Sequence, residues 1–388
     1  MTSAISLEQP MADDTQAGAA TVRVCLVGPS LDILGGQAVQ VTRLLRRLRE
    51  LPGLEVEFLA VNPRLPGALR MLQGIKYVRT VVTSIAYAFS LLRRVHGYDV
   101  IHAFSASYTS YLLAPLPAML VARLFGKRVV LNYRSGEASD HLARSAFAVW
   151  TMKLAHEIVV PSGYLVGVFA EFGLHARAIP NFVDLDVLDH RERAALRPVF
   201  LSNRNLETLY NVACTVRAFG IIQARFPEAT LTIAGDGGER RAVEQLVGEL
   251  GLRNVTFAGK VPAERMREYY SAADVYLNSP NIDNMPNSVI EAFASGLPVV
   301  TTNAGGIPFV VEDGRTGFMV EVDDHAALAR RAIELVDSPE IAKAMSARAR
   351  QECLTRYVWE TVSADWQRLY HGLMHRGRGG VTREGDTA

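Results

Sequence analysis

The stretch Ser279-Pro280-Asn281-Ile282-Asp283-Asn284-Met285-Pro286-Asn287-Ser288, with Val289 to Leu297, Pro298-Val299-Val300-Thr301-Thr302 and the pair Gly305-Gly306 after it, decides how this chain is read. It spells a polar loop, a short helix capped by Ser288 or Asn287, a stop at Gly296, a buried strand and a glycine turn. At the start of such a helix, backbone N–H groups lack intrahelical partners. Together with the helix dipole they favour an anion, and a phosphate fits. Asp283 and Glu291 flank the junction eight positions apart. Carboxylates there accept hydrogen bonds from hydroxyls, which a sugar or a ribose offers. Phosphate and hydroxyls on one molecule describe a nucleotide sugar; a solvated loop with a helix cap is the plainer alternative.

Working outward, strands and helices alternate on both sides of this stretch. Thr21 to Val27 is an apolar run ending at Gly28-Pro29, and a loop closing with Gly35-Gly36 leads into a helix with Val39, Leu44, Leu45 and Leu48 on one stripe. No Gly-x-Gly-x-x-Gly is present, so Gly35 and Gly36 are either a tight turn or a phosphate contact. Further strands are read at Val56 to Val61, Asp99 to Phe104, Arg128 to Tyr133 and Glu157 to Val160, with one helix from Tyr108 to Phe125 and another opened by Ser162. After a charged, alanine-rich linker at 188–197, the pattern restarts at Val199-Phe200-Leu201 and continues through Leu231 to Gly238, Val255 to Gly259 and Ala273 to Leu277. Two such runs predict an α/β protein of two doubly wound parallel-sheet, Rossmann-like domains facing one another. The divisions expected are a tail at 1–20, a first domain at 21–187, a second at 188–355, a terminal helix at 356–375 and a tail at 376–388.

Bulk properties narrow the class. A chain of 388 residues suits two domains, and 49% hydrophobic with 21% charged residues describes a globular protein with ample core. A formal net charge of +1 gives no field toward nucleic acid. Cys25, Cys214 and Cys353 are far apart and form no metal spacing, as expected of structural thiols in a reducing compartment. No signal peptide or membrane-spanning run is read, which points to the cytoplasm. One segment stands out: from Pro63 to His96 the arginines 64, 70, 79, 93 and 94 and Lys76 punctuate an apolar sequence without a single acid. It is either a basic amphipathic surface for the inner, anionic face of a membrane, or a pair of helices with solvated arginines.

Asp283, seven residues, Glu291, and then Ala292-Phe293-Ala294-Ser295-Gly296-Leu297-Pro298-Val299-Val300, resembles the signature of the family 4 retaining glycosyltransferases of the GT-B fold. The usual form there carries Glu at both ends. The resemblance implies that Glu291 holds the donor ribose and that Asp283 lies near the transferred sugar, with Asn284, Met285, Pro286, Asn287 and Ser288 completing the donor loop. It places Gly35-Gly36 near the donor phosphates or the acceptor, and Gly305-Gly306 near the sugar or its phosphates. Asp99 to His102 resembles the family's Asp-apolar-apolar-His segment, although a core histidine is the blander reading of His102. Arg204 matches the family's diphosphate-binding arginine, but the lysine that usually follows is missing, since Glu207 to Val212 reads Glu-Thr-Leu-Tyr-Asn-Val. Arg134 stands where relatives carry a His beside the reacting carbon. Arginine is no general base, but it can neutralise a phosphate or an acidic acceptor, so Arg134 is the expected replacement for the lysine, with Asn205 as a neutral donor. Glu137 either accepts a proton or pairs with Arg134, and the ion pair is the favoured expectation. Pro180-Asn181-Phe182-Val183-Asp184 resembles the segment that closes the family's first domain, and the terminal helix is expected to cross back onto that domain.

The function implied is transfer of a hexosyl or similar sugar, with retention, from a nucleotide-diphosphate donor to an unassigned acceptor such as a glycan or a lipid-linked molecule. No metal and no cofactor beyond the donor is expected, and Asp184-Leu185-Asp186 is discounted as a metal motif because it sits in the hinge. Arg134, Glu137, Arg204 and Asp283 are the expected catalytic set. Two other readings stay open: a non-catalytic relative that binds a nucleotide sugar or a partner, and a GT-B nucleotide-sugar epimerase or hydrolase.

Overall fold

The computed structural model describes residues 21–30, 36–63, 65, 71 and 75–375; both tails, Gly35, Arg64 and Arg70 lie outside the described residues. The first domain alternates β1 (Val22–Gly28), α1 (Gly36–Leu48), β2 (Leu54–Ala60), α2 (Lys76–Arg94), β3 (Val100–Ser105), α3 (Tyr108–Leu113), α4 (Pro115–Leu124), β4 (Arg128–Tyr133), α5 (Ala138–Arg144), α6 (Ala146–Met152), β5 (Glu157–Val160), α7 (Gly163–Glu171) and β6 (Ala176–Ala178). The second alternates β7 (Val199–Ser202), α8 (Val212–Arg225), β8 (Thr230–Ala234), α9 (Arg240–Glu249), β9 (Val255–Gly259), α10 (Met266–Ala272), β10 (Val275–Asn278), α11 (Asn287–Ala294), β11 (Val299–Thr302) and β12 (Phe318–Val320), followed by α12 (His325–Asp337), α13 (Pro339–Arg356) and α14 (Trp359–His375).

Each domain holds a six-stranded sheet, ordered β2-β1-β3-β4-β5-β6 and β12-β11-β10-β7-β8-β9, with every pairing parallel. Parallel strands must be covered on both faces, and the side chains divide accordingly. In β1, Val24 and Leu26 pack with Val41 and Leu44 of α1 and with Trp366 and Tyr370 of α14, whereas Cys25 and Val27 face Tyr87 of α2 and Met119 of α4. The terminal helix therefore packs on the first domain and buries its tryptophans there.

Local departures from the sequence reading have physical causes. The single helix expected from Tyr108 to Phe125 is two, broken at Ala114 before Pro115, whose ring restricts the residue that precedes it. The 188–197 linker is held against the second domain. Arg193 is buried and donates to the carbonyls of Tyr270, Ala273, Ser295 and Gly296, while Arg191 and Arg197 pair with buried Asp274. His102 is a core residue: fully buried, it bonds Tyr370 Oη at 2.6 Å and Asn132 Nδ2 at 2.9 Å. Burial, and secondarily the charge of Arg134, pushes its pKa down to about 3. All three cysteines are buried and unpaired in disulfides.

Candidate donor site between the domains

In the second sheet the chain leaves β7 toward β8 on one side and β10 toward β11 on the other. Ligands of open parallel sheets bind at the carboxyl ends of the strands where the order reverses in this way. The segment Asn203 to Asn205 follows β7 and the loop 279–286 follows β10, so both arrive at that point. They form one wall of a cleft of about 400 Å³; the other wall is Gln40, Arg43, Arg134 to Glu137 and Asn181 of the first domain.

Glu291 sits in the second turn of α11 and reaches the cleft with both oxygens engaged. Oε1 accepts from Arg43 Nη2 at 3.0 Å and Oε2 from the Tyr270 hydroxyl at 2.9 Å. The Tyr270 hydroxyl in turn accepts from Asn203 Nδ2 at 2.7 Å. Burial first, and the neighbouring Glu291 charge second, hold its pKa well above the usual phenol value. Arg204 donates to Asp283 Oδ2 at 2.5 Å and to Ser288 Oγ at 3.1 Å, and stacks over Tyr210 with 4.1 Å from guanidinium to ring centre. The loop can bend this way because a Cβ on Gly235 would lie 2.1 Å from the Arg204 carbonyl oxygen, a contact that only glycine avoids.

Ser288 and Asn287 do not cap α11. The cap residue is Pro286, whose ring has no polar atom to offer the helix; the Ser288 hydroxyl accepts from Arg204, and the buried Asn287 Oδ1 has no partner among the described residues. The helix thus opens into the cleft with no side chain closing its end. Ser162, the residue that caps α7, donates to Asn284 Oδ1 across the domain boundary at 2.5 Å, and Met285 offers its carbonyl to Asn181 Nδ2 at 2.9 Å. Gly305 and Gly306 lie behind this loop rather than on the cleft. The Gly306 N–H donates to the Asp283 carbonyl at 2.8 Å, Gly305 adopts φ +57°, and a Cβ on Gly306 would come within 1.9 Å of the Asn284 carbonyl oxygen.

On the facing wall, Arg134 does not pair with Glu137. Its Nε donates to Asn132 Oδ1 at 2.6 Å and its Nη1 to Asn181 Oδ1, and it lies 5.6 Å from the Phe104 ring centre. Burial pushes its pKa down to about 9. Among the described residues neither Arg134 nor Lys260 has a carboxylate partner, and both line the cleft. Among the described residues the cleft therefore holds two internally neutralised pairs, Arg43 with Glu291 and Arg204 with Asp283, plus two unpaired cations, Arg134 and Lys260, and one unpaired carboxylate, Glu137, leaving a net positive lining. Such a surface suits a polyanion. Asn205 is an exposed residue of the same wall, and Gly36 opens α1.

Sequence reasoning missed Gln40, Arg43, Tyr210 and Lys260. Lys260 follows β9 and stands far in sequence from the position where a second cation was sought. Gln40 and Arg43 sit one turn apart on a helix whose apolar stripe drew attention instead; their signal was that α1 begins at the second glycine of Gly35-Gly36, so its first turns face the cleft.

Two facing parallel-sheet domains, with a cleft at the switch point and a terminal helix that returns to the first domain, make the GT-B architecture. Solved structures agree: sucrose-phosphate synthase from Thermosynechococcus elongatus superposes with TM-score 0.72 at 20% identity, covering 92% of this chain and 100% of that one. Anabaena HepE in complex with UDP-glucose gives TM-score 0.72 at 16% identity, covering 90% and 99%. Residues 34–187 match the model described as Glycosyltransferase Family 4, and residues 189–352 match that of Glycosyl transferases group 1. The chain belongs to the family 4 glycosyltransferases. It is 27% identical to the phosphatidyl-myo-inositol mannosyltransferase of Mycolicibacterium smegmatis over 92% of this chain and 95% of that protein. To the N-acetyl-alpha-D-glucosaminyl L-malate synthase of Bacillus anthracis it is 27% identical over 58% of each. Other curated relatives are matched over about half their length, for example 50% and 42%.

Proposed function

We propose that this protein is a retaining glycosyltransferase that takes a sugar from a nucleotide-diphosphate donor bound in the interdomain cleft. One observation carries the reading: Asp283 and Glu291 enter the same cleft as Arg204, with Arg134 and Lys260 left as cations that have no carboxylate partner among the described residues. Glu291 takes the ribose hydroxyls. Arg204, Lys260 and the open start of α11 take the diphosphate, with Arg134 adding charge from the facing wall. Asp283 orients the sugar. Transfer proceeds by front-face attack: the bond from the anomeric carbon to the diphosphate breaks as the acceptor oxygen bonds the same face, and the departing phosphate oxygen takes the acceptor proton. No protein carboxylate acts as nucleophile, and no metal is required. The cations stabilise charge as it develops on the leaving group, in a cleft from which closure excludes water. Glu137, which lines the cleft beside Arg134, faces the acceptor.

The acceptor we favour is carried on a lipid. The helix α2 buries Tyr87 and Leu91 but leaves Val81, Ile85 and Phe89 exposed in a stripe, Ile85 at 65% and Phe89 at 64%. Leu124 of α4 and Trp150 of α6 add exposed apolar surface at 76% and 66%. Among the described residues no helix is long and apolar enough to cross a membrane. Peripheral contact with an anionic bilayer, from the cytoplasmic side, accounts for both facts. The test is release of nucleotide diphosphate from a panel of nucleotide sugars, with and without anionic vesicles containing extracted lipids as acceptors. Turnover that needs an acceptor supports the proposal. Release at the same rate without any acceptor indicates a hydrolase, and binding without release a non-catalytic protein.

A further inference from the structure

We propose that Arg43 is a positioning residue for the donor site, holding the Glu291 carboxylate from the opposite domain so that nucleotide binding and domain closure become one event. The inference rests on the donor-site reading above. Arg43 belongs to α1 of the first domain and Glu291 to α11 of the second, and their side chains are only 8% and 14% exposed. An ion pair so shielded from water is costly to break on one side, because the remaining charge has no solvent to turn to.

The geometry shows what the pair achieves. One arm of the Arg43 fork donates to the Phe182 carbonyl at 2.8 Å, anchoring the guanidinium in its own domain, while the other grips Glu291 Oε1 at 3.0 Å. Tyr270 donates to Oε2 from within the second domain at 2.9 Å. A carboxylate has about four acceptor positions. The two protein donors occupy one on each oxygen, fix the plane of the group, and leave one on each oxygen for a pair of neighbouring hydroxyls such as those of a ribose. If the cleft opens, Arg43 leaves with its domain and Glu291 loses its cation and half of its orientation. One turn before Arg43, Gln40 is buried on the same cleft, and its Nε2 has no partner among the described residues, so this helix face has a further polar atom to offer a ligand.

The experiment is a double-mutant cycle with Arg43→Gln and Glu291→Gln, reading calorimetric affinity for UDP, ADP and GDP, together with small-angle scattering of the unliganded proteins. Arg43→Gln is expected to weaken the best-binding nucleotide about tenfold in the native background and by less than about twofold in the Glu291→Gln background. It is also expected to enlarge the unliganded radius of gyration. Arg43→Lys, which keeps the charge but not the fork, should fall between, and it keeps the cycle available if the glutamine variant does not fold. Unchanged affinity in Arg43→Gln, or an equal loss in both backgrounds, overturns the inference. If the native protein binds none of the three nucleotides, the donor-site reading itself fails and takes this inference with it; native binding with an unaffected Arg43→Gln variant sinks the inference alone.

Discussion

The two walls of the cleft are built in opposite ways. The second-domain wall is nearly self-sufficient: its loop is braced from behind by Gly305-Gly306, and Arg204, Asp283, Ser288, Tyr270, Asn203 and Glu291 bond one another. The first-domain wall is assembled from scattered pieces. Gln40, Arg43, Arg134, Glu137 and Asn181 come from three distant segments, and Arg134 is satisfied by amide oxygens rather than by a carboxylate. Behind that wall lies an outer layer of helices with exposed apolar side chains. On the proposed function, the preorganised wall takes the nucleotide diphosphate and the facing wall takes the acceptor.

The sharpest way to break this contrast is to remove the cation of the self-sufficient wall. Arg204→Gln leaves Asp283 enclosed without its partner and takes a diphosphate contact away, so turnover is expected to fall by about 10²–10³. A loss under threefold in a folded variant would remove Arg204 from the chemistry. The outer face of the other wall comes next. Phe89→Asp should reduce sedimentation with anionic vesicles by roughly tenfold or more, since burying a phenylalanine is worth about 1.5–3 kcal/mol, while turnover of a soluble acceptor stays unaltered. Equal vesicle binding by native and variant protein would restore the reading of solvated helices for α2.

Acid stability gives a third test, read in the first domain, which holds the two histidines pushed down furthest. Burial pushes His102 down to about 3 and His156 down to about 4, and both lie in the first domain. Below the unfolded pKa of about 6.5 the unfolded chain takes up protons that the folded one refuses. Stability therefore falls as pH drops from 6.5 toward those values, by at most about 1.4 kcal/mol per pH unit for each histidine, and is unaffected by them above 6.5. Trp150 lies in the first domain, and Trp359 and Trp366 pack on it, so tryptophan fluorescence reads this domain. A urea midpoint that stays constant from pH 6.5 to 4 would contradict the assignment.

Much of this was legible in the chain. Strands buried on both faces announce themselves as apolar runs, and the second-domain wall lies largely within Ser279 to Glu291, where spacing alone puts two carboxylates at one helix start. The first-domain wall was not legible to the same degree, because residues such as Arg43 and Asn181 meet only after folding. Single side chains were misjudged where tertiary demand overrode local rules. The Ser288 hydroxyl serves Arg204 instead of capping its helix. Arg134 was expected on Glu137, three residues away, but is drawn to Asn132 and Asn181.

The most direct test of the donor site is thermal stabilisation of native protein and Glu291→Ala by a panel of nucleotide diphosphates and nucleotide sugars. The account predicts a rise in melting temperature of the native protein with one base, larger with one sugar attached, and its loss in a Glu291→Ala variant that is still folded. No rise with any of them, or an equal rise in both proteins, would contradict it.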